Sequence, residues 1–551
     1  MNELSTLVST VQSGDTLALE QGKIYHVHQD DSFELTGYFC SNSAKRDENP
    51  DGRRHTAIFL EDKKNIAIEG NGATVLVHGK MTPLLFERCE NITVRNLVVD
   101  YACPTMTELT ILENRNGVVT FRVHPDCLFR VDGNQLYWRG EEGFDGKPYW
   151  EDRANDAYGK GGYRYGILFL PDRTAVRFDC SRLTFTRIER LDDHILRCTL
   201  KDAGADLPVG SVLQTRNVIR DQVGSLFERC RNLRFENLRV RFMHGIGMVS
   251  QFCDGVSFLN CDFSPKAGRT IASNADFFHF SGCRGKLVID GCAAWGAQDD
   301  FVNVHGTHLQ IQEIDRRANT LRVRFCHPET WGFQAFAEGD ALEFIQWDTL
   351  IPYAQTRVTG FEKLSPTKIL LRVTEIPEGI TMGRDVVENA AWTPDVHIRN
   401  CQFGPSHGRG VLCTTRGEVI IENNRFDTIG GAALCVEDDC NFWFESGYTR
   451  QIIFRDNELI ACNYGNTVET APTIQYTPKV MNESSDAFVH GKLVLTGNRF
   501  SDPRHGHHSI RLEYLREAVI ADNTFDAPYE IHTKNCGDIV DQDNTVSLNR
   551  A

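Results

Sequence analysis

The sequence predicts an all-β chain: a right-handed parallel β-helix, a solenoid, carrying two small inserted β-barrels. Three observations lead there. A short strand ending in Asn, Asp or Gly recurs along the chain, its undisturbed copies start 23 or 25 residues apart, and two long interruptions carry matching hairpin-like text. Helix-period segments are scarce.

The repeat comes first. NIAIEGN begins at Asn65, NITVRNL at Asn91, NLRFENL at Asn232 and GVSFLNC at Gly255. KLVIDGC follows at Lys286, DVHIRNC at Asp395, EVIIENN at Glu418, QIIFRDN at Gln451, KLVLTGN at Lys492 and EAVIADN at Glu517. Each copy alternates apolar and polar residues with period two, the mark of a strand with one buried face. Each ends on residue types that tolerate left-handed backbone, so a sharp turn follows. Starts at 232 and 255, or at 395 and 418, lie 23 residues apart, and those at 492 and 517 lie 25 apart. That length suits a coil of three short strands and three turns. Stacked coils place parallel strands about 4.8 Å apart, their crossovers are expected to be right-handed, and equivalent residues fall into vertical ladders.

The cysteines fit such ladders. Cys89, Cys230, Cys253 and Cys283 stand just before the strand, and Cys261, Cys292 and Cys401 just after its turn. The 18 cysteines show no CxxC pair and no zinc-like spacing, so reduced, buried structural thiols are expected rather than a disulfide framework.

The interruptions set the domain plan. LFERC at 85–89 and again at 226–230 reads as two neighbouring coils, although 141 residues separate them. The text between carries ILENRNGVVTFRV and RTAVRFDCSRLTFTRI, and a later interruption carries IQEIDRRANTLRVRF and an EGDALEFIQ that echoes VGSVLQTRN. The expected division is β-helix coils over 1–102, a first barrel over 103–223, catalytic coils over 224–305, a second barrel over 306–393 and C-terminal coils over 394–551.

Charge narrows the partners. A formal net charge of −16 on 551 residues, with only 59 Lys and Arg, repels phosphate backbones and anionic membranes. A neutral or cationic partner is expected, not nucleic acid and not a membrane. No stretch approaches the roughly 18 consecutive apolar residues of a membrane span, and the opening MNELSTLVSTVQSGDTLALE lacks the basic start and apolar core of a signal peptide. A cytoplasmic protein is the expectation as the chain stands, secreted or periplasmic if a leader has been removed.

The chemistry concentrates between the interruptions, in AGRTIASNADFFHFSGCRGKLVIDGCAAWGAQDDFVNVHG from Ala267 to Gly306. Laying ADFFHF over DDFVNV puts Asp276 level with Asp300, with Asp299 beside it, at separations of 24 and 23 residues. Clustered carboxylates repel one another, so holding them together implies a metal ion or a shared proton. Glycoside hydrolysis uses the shared proton: one carboxylic acid protonates the leaving oxygen while another carboxylate activates water. A separation of roughly 6.5 to 9.5 Å leaves room for that water and inverts the anomeric centre. Side chains diverging from adjacent coils could reach that separation, so inversion is the expectation. Arg269, His279, Asn303 and His305 lie within the same two turns and are candidate substrate ligands. His407 in PSHGRG and Glu437 in CVEDD fall on following coils of the same face and are candidates for a sugar hydroxyl.

Other features read as structural. Asp438 and Asp439 suit a solvated turn or an Asx cap. RHGHHSIR at 504–511 suits a polar face, since no carboxylate stands at metal-ligand spacing in the text. Trp295, Trp331 and Trp443 are near enough to stack on a sugar or to serve the core. Calcium on hard oxygen ligands would signal a lyase, which also wants a basic cluster that this stretch lacks beyond Arg269. No metal and no cofactor is expected.

HGIGMVSQ from His244, GRTIASNADFFHF from Gly268 and QDDFVNVHG from Gln298 resemble the bacterial exo-acting α-1,3-galactosidases of glycoside hydrolase family 110. The layout of a β-helix with two inserted barrels extends the resemblance over most of the chain. More distantly, Asp276 with the Asp299–Asp300 pair is similar to the three-aspartate arrangement of the polygalacturonases, also inverting β-helix hydrolases. The resemblance implies removal of a terminal α-1,3-linked galactose, from branched blood-group B or linear galactosyl caps, without a cofactor. It further implies Asp299 as general acid, Asp276 and Asp300 as holders of the water, and a possible homodimer. Phe277 and Phe278 depart from it, standing where smaller polar residues are expected. A polysaccharide lyase or endo-hydrolase of acidic polysaccharide, and a non-catalytic glycan-binding β-helix, are the alternative readings.

Overall fold

The structure is a computed structural model describing residues 1–154, 165–216, 218–465, 471–502, 504 and 506–547. It is a parallel β-helix with two antiparallel insertions. The recurring strands of the sequence stack as one sheet of twelve parallel strands, running from Thr16–Ala18 to Asp538–Gln542. A second twelve-stranded sheet holds the two- to five-residue strands that follow each turn, and a third stacks eleven strands from Ile58–Glu61 to Tyr529–Lys534. Pairing is in register: Leu85, Phe86 and Glu87 of the first LFERC lie against Leu226, Phe227 and Glu228 of the second. The insertion between them therefore loops out without disturbing the stack.

The turn after each first-sheet strand explains the recurring Asn, Asp and Gly. Asn96, Asn237, Asn260, Gly291, Asn400, Asn423, Asp456, Gly497, Asp522 and Asp543 all have positive φ there, the region open to Gly and least costly for Asn and Asp among other residues. The next residue points into the helix. It is Leu97 and Leu238, then Cys261, Cys292 and Cys401, then Asn424, Asn457, Asn498 and Asn523, all buried, and Asn544 in the last coil. One apolar core of Val, Ile, Leu and Phe runs the length of the solenoid. The helix Glu3–Ser9, the one α-helix among the described residues, buries Leu4 and Val8 against its N-terminal end. No helix among the described residues is long and apolar enough to cross a membrane.

The two insertions differ. The second is a closed six-stranded barrel, built in the order Leu309–Asp315, Thr320–Arg324, Lys368–Val373, Pro352–Ser365, Ala341–Ile345 and Val386–Asn389. The first, expected to be a barrel too, is among the described residues an open seven-stranded antiparallel sheet with a separate three-stranded sheet beside it. The matching text does make matching structure: both open with a hairpin bulged at one point, between Ile111 and Glu113 and between Ile311 and Glu313. All 18 cysteines are unpaired, and all but Cys326 and Cys536 are buried.

Candidate active site

The third-sheet strands Phe278–Ser281, Val302–Thr307 and Val411–Cys413 pair in register, Phe278 to Val302 to Val411. Counting back two residues in each puts Asp276, Asp300 and Arg409 on one ladder, in the loops entering three successive coils. The coils must approach closely to do this. A Cβ on Gly247 would meet the carbonyl oxygens of Asp276 and Phe277 at 2.3 Å, and one on Gly408 would meet that of Asp299 at 1.9 Å. The glycines of HGIG and HGRG are thus required by packing around the carboxylates.

One carboxylate oxygen from each of Asp276, Asp299 and Asp300 lies within 4.8 Å of the other two, closer than the separation expected from the sequence. Arg409 answers the charge. Its Nε and Nη2 donate to the two oxygens of Asp300 at 2.6 and 2.9 Å, and Nη2 lies 3.9 Å from Asp299. A fork of this kind is the natural partner of a buried carboxylate, and it supplies at Asp300 the positive charge that a metal ion would otherwise bring. Asp276 and Asp300 are buried, whereas the Asp299 side chain is 46% exposed. Burial, then the charges of Asp299 and Glu445, hold the Asp276 carboxyl well above the usual carboxylate range. Burial also raises Asp300, the Arg409 fork opposing it and Asp299 and Asp276 adding to it. A cluster so placed retains a proton where isolated carboxylates would not.

Around this ladder a pocket is lined by Asn42, Arg220, Asn303, Glu437, Trp443, Glu445 and Lys479, with Ile246 and Leu412 as apolar floor. Asn303 is in register with His279 on one side and Leu412 on the other, and its Oδ1 is buried without a partner. Glu437 accepts from Gln475 Nε2, Thr477 Oγ1 and Lys479 Nζ at 3.0 Å and lies 3.6 Å from Arg409. A loop of the second insertion supports the walls: Glu329 pairs with Arg220 at 2.7 Å, Thr330 donates to Asn42 Oδ1 at 2.8 Å, and the His327 ring packs at a tilt on Trp443, centroids 4.3 Å apart.

Several sequence candidates sit elsewhere. His279 and His305 lie behind Asp276 rather than in the pocket: His279 Nδ1 is 2.9 Å from Asp276 Oδ2, and the two Nε2 atoms are 3.1 Å apart. Arg269, expected to bind substrate, is a tie to the first insertion, its buried guanidinium donating to Asp126 Oδ1 and the Met106 carbonyl at 2.5 Å. His407 likewise meets the first insertion, through the Ala175 carbonyl at 2.9 Å and Arg177 at 3.3 Å. Phe277 and Phe278 are fully buried in the solenoid core and leave the pocket's shape to other residues. Of the tryptophans Trp443 lines the pocket, while Trp331 is buried with its Nε1 donating to Ala44 O. Asp439 does cap a turn, accepting from the amides of Asn441, Phe442 and Trp443, but it and Asp438 are buried rather than solvated. In the histidine run His508 bonds Asp526 at 2.8 Å, and His505 lies outside the described residues. Arg409 was legible in the text, because HGRGVLC aligns with QDDFVNV. Asn42, Arg220 and Glu445 come from a loop, an insertion end and the short strand Glu445–Ser446, with no repeat to announce them.

Residues 320–387 match the family model of the GLAA-B beta-barrel domain II. The chain is 37% identical over 483 residues to alpha-1,3-galactosidase A of Akkermansia muciniphila, spanning 86% of this chain and 76% of that one. It is 30% identical over 515 residues to alpha-1,3-galactosidase A of Bacteroides fragilis, spanning 91% and 82%. Among solved structures, the family 28 exopolygalacturonase of Yersinia enterocolitica aligns with a TM-score of 0.35 at 10% identity, covering 98% of this chain and 75% of that one.

Proposed function

This chain belongs to the α-1,3-galactosidase family of glycoside hydrolases, and from that membership we propose that it releases terminal α-1,3-linked galactose by inverting hydrolysis. The observation that carries the mechanism is the Asp276–Asp300–Arg409 ladder with the exposed Asp299 beside it. Asp299 is the general acid: its partly exposed side chain, only loosely held by Arg409, can reach a leaving oxygen. Asp276 and Asp300 hold the attacking water, each fixed by a partner of its own, His279 and the Arg409 fork. The reaction then needs no cofactor. The C1–O bond breaks with its electron pair on the leaving oxygen, which takes the Asp299 proton, while water adds to C1 from the opposite face.

The walls favour an exo-acting enzyme. Asn42, Arg220, Trp443 and Lys479 converge on the carboxylates from four separate segments, which suits a terminal sugar better than the interior of a polymer. The acidic pocket also disfavours a polyuronate substrate.

The test is galactose release from α-1,3-galactobiose followed by NMR of the first anomer formed. β-Galactose appearing first supports inversion. α-Galactose first would mean that the closely spaced carboxylates act through a covalent intermediate, and no release at all would sink the galactosidase reading.

A further inference from the structure

Behind Asp276 runs a line of hydrogen-bonding atoms that can be counted for protons. Asp276 Oδ2 faces His279 Nδ1 at 2.9 Å, His279 Nε2 faces His305 Nε2 at 3.1 Å, and His305 Nδ1 faces the Gly306 carbonyl at 2.5 Å. Each junction needs a proton. The carbonyl can only accept, so His305 Nδ1 is protonated. Two bare imidazole lone pairs cannot face each other at 3.1 Å, so either His279 Nε2 or His305 Nε2 is protonated as well. Ser41 Oγ, 3.1 Å from His279 Nε2, could donate to that nitrogen, but the His305 lone pair would still be opposed. Between carboxylate and His279 Nδ1 lies the third proton, on one side or the other. A carboxylate and two neutral imidazoles own only two.

We infer that the Asp276–His279–His305 chain stores one proton beyond those of a carboxylate and two neutral imidazoles, so that Asp276 orients the attacking water while Asp300 deprotonates it. His279 and His305 are then positioning residues. This rests on the hydrolytic reading above and divides the labour of its two water-holding aspartates.

The count does not depend on where the proton sits. Asp276 as a neutral acid, His279 as an imidazolium or His305 as an imidazolium all give the same total and zero net charge. Burial pushes His279 down to about 4 and lowers His305 too, while Asp276 is raised, so the neutral acid is the dominant form. Glu445 Oε1 stands 3.8 Å from His305 Nε2 and is itself held by Asn42, Asp299 and Asp300 lie on the pocket side, and Arg220 and Arg409 supply the positive charge. A chain already carrying its extra proton is a poor acceptor for another. Burial raises Asp300 as well, but its partner is a permanent cation held by a two-point fork, so of the two raised carboxyls it is the one that gives up its proton first. During turnover water loses its proton to Asp300 as its oxygen bonds to C1, and Asp299 gives its proton to the leaving oxygen. Solvent then takes the proton from Asp300 and restores the one on Asp299, and the stored proton is neither consumed nor released.

The direct test is ¹⁵N NMR of histidine-labelled wild-type protein at pH 7, which needs no turnover. The expected result is a proton on Nδ1 of His305 and on one of the two facing Nε2 nitrogens. Both Nε2 nitrogens unprotonated would overturn the inference. The kinetic test compares kcat/KM of Asp276→Asn and Asp300→Asn on an aryl α-galactoside and records the pH profile of His305→Asn. Asp276→Asn, whose amide can replace the stored proton's hydrogen bond, should keep at least ~10-fold more activity than Asp300→Asn. The alkaline limb of His305→Asn should move to lower pH. Equal losses in the two aspartate variants, or an unmoved limb, would overturn the role given to Asp276. Failure of the wild type to release galactose would instead sink the galactosidase reading and leave the proton count to stand or fall alone.

Discussion

The catalytic coils with the first C-terminal coil, and the coils that follow, are built on the same repeat but filled differently. At the inward position after the first-sheet turn, Cys261, Cys292 and Cys401 donate weakly, at 3.5 to 3.6 Å, to the carbonyls of Phe235, Phe258 and Ile289 one coil back. Asn424, Asn457, Asn498, Asn523 and Asn544 donate to the corresponding carbonyls of Ile398, Ile421, Phe454, Leu495 and Ile520 at 2.8 to 3.0 Å. Asparagine adds an amide-to-amide ladder, the first four Nδ2 atoms each also reaching the next Oδ1 at 2.9 to 3.1 Å. The loops entering the third sheet show the converse. There the catalytic coils carry Asp276 and Asp300, the first C-terminal coil carries Arg409, and the coil after it carries Ala432. One ladder varies in how strongly it holds the stack, and the other in what chemistry it exposes.

Substitutions should separate these two ladders. The largest expected effect is on the chemical one: Asp300→Asn lowers kcat by roughly 10³-fold or more, with a melting temperature close to wild type. A large fall in melting temperature would show that the Asp300–Arg409 pair is structural instead. Next comes Asn457→Leu, which strips partners from the Ile421 carbonyl and the Asn424 amide. Leaving two such buried groups unpaired costs about 3 kcal/mol, read by denaturant unfolding, with kcat on the aryl galactoside unchanged. Smaller again is Cys292→Ala, where a weak S–H donor and one sulfur's volume are lost, about 1–2 kcal/mol. A cost equal to that of Asn457→Leu would mean that the two ladders hold the stack equally.

The solenoid was readable because each coil repeats the same physical problem, burying alternate residues and turning sharply, so ten copies report one answer. Asp276, Asp299 and Asp300 were readable for the same reason, being repeat positions filled by the wrong kind of residue. Arg269 misled because proximity in sequence stood in for direction: it sits in the loop before Asp276 but reaches outward to Asp126. Asn42, Arg220 and Glu445 were illegible because they arrive from segments outside the repeat, and their register with it is set only by packing. The open sheet of the first insertion was hidden by hairpin text that also matches the closed barrel of the second.

The smallest effect expected separates the pH dependence of stability from that of activity. Asp438 lies just beyond the third-sheet strand Leu434–Val436, buried beside His308 and behind the pocket rather than in it. Burial raises its carboxyl from an ordinary 3.8 to about 7, His308 opposing the shift and Glu388 adding to it. The folded protein thus binds this proton more tightly than the unfolded chain. The contribution to stability is complete below about pH 4 and is lost as pH rises through about 7. Asp438→Asn keeps the shape and removes the titration, so melting temperature should fall less between pH 5 and pH 8 than in the wild type. The pH profile of kcat/KM should stay as in the wild type, because the proton that matters to chemistry lies on the Asp276 side of the wall. A profile that moved with Asp438→Asn would join the two pH dependences and place this carboxyl within the catalytic network.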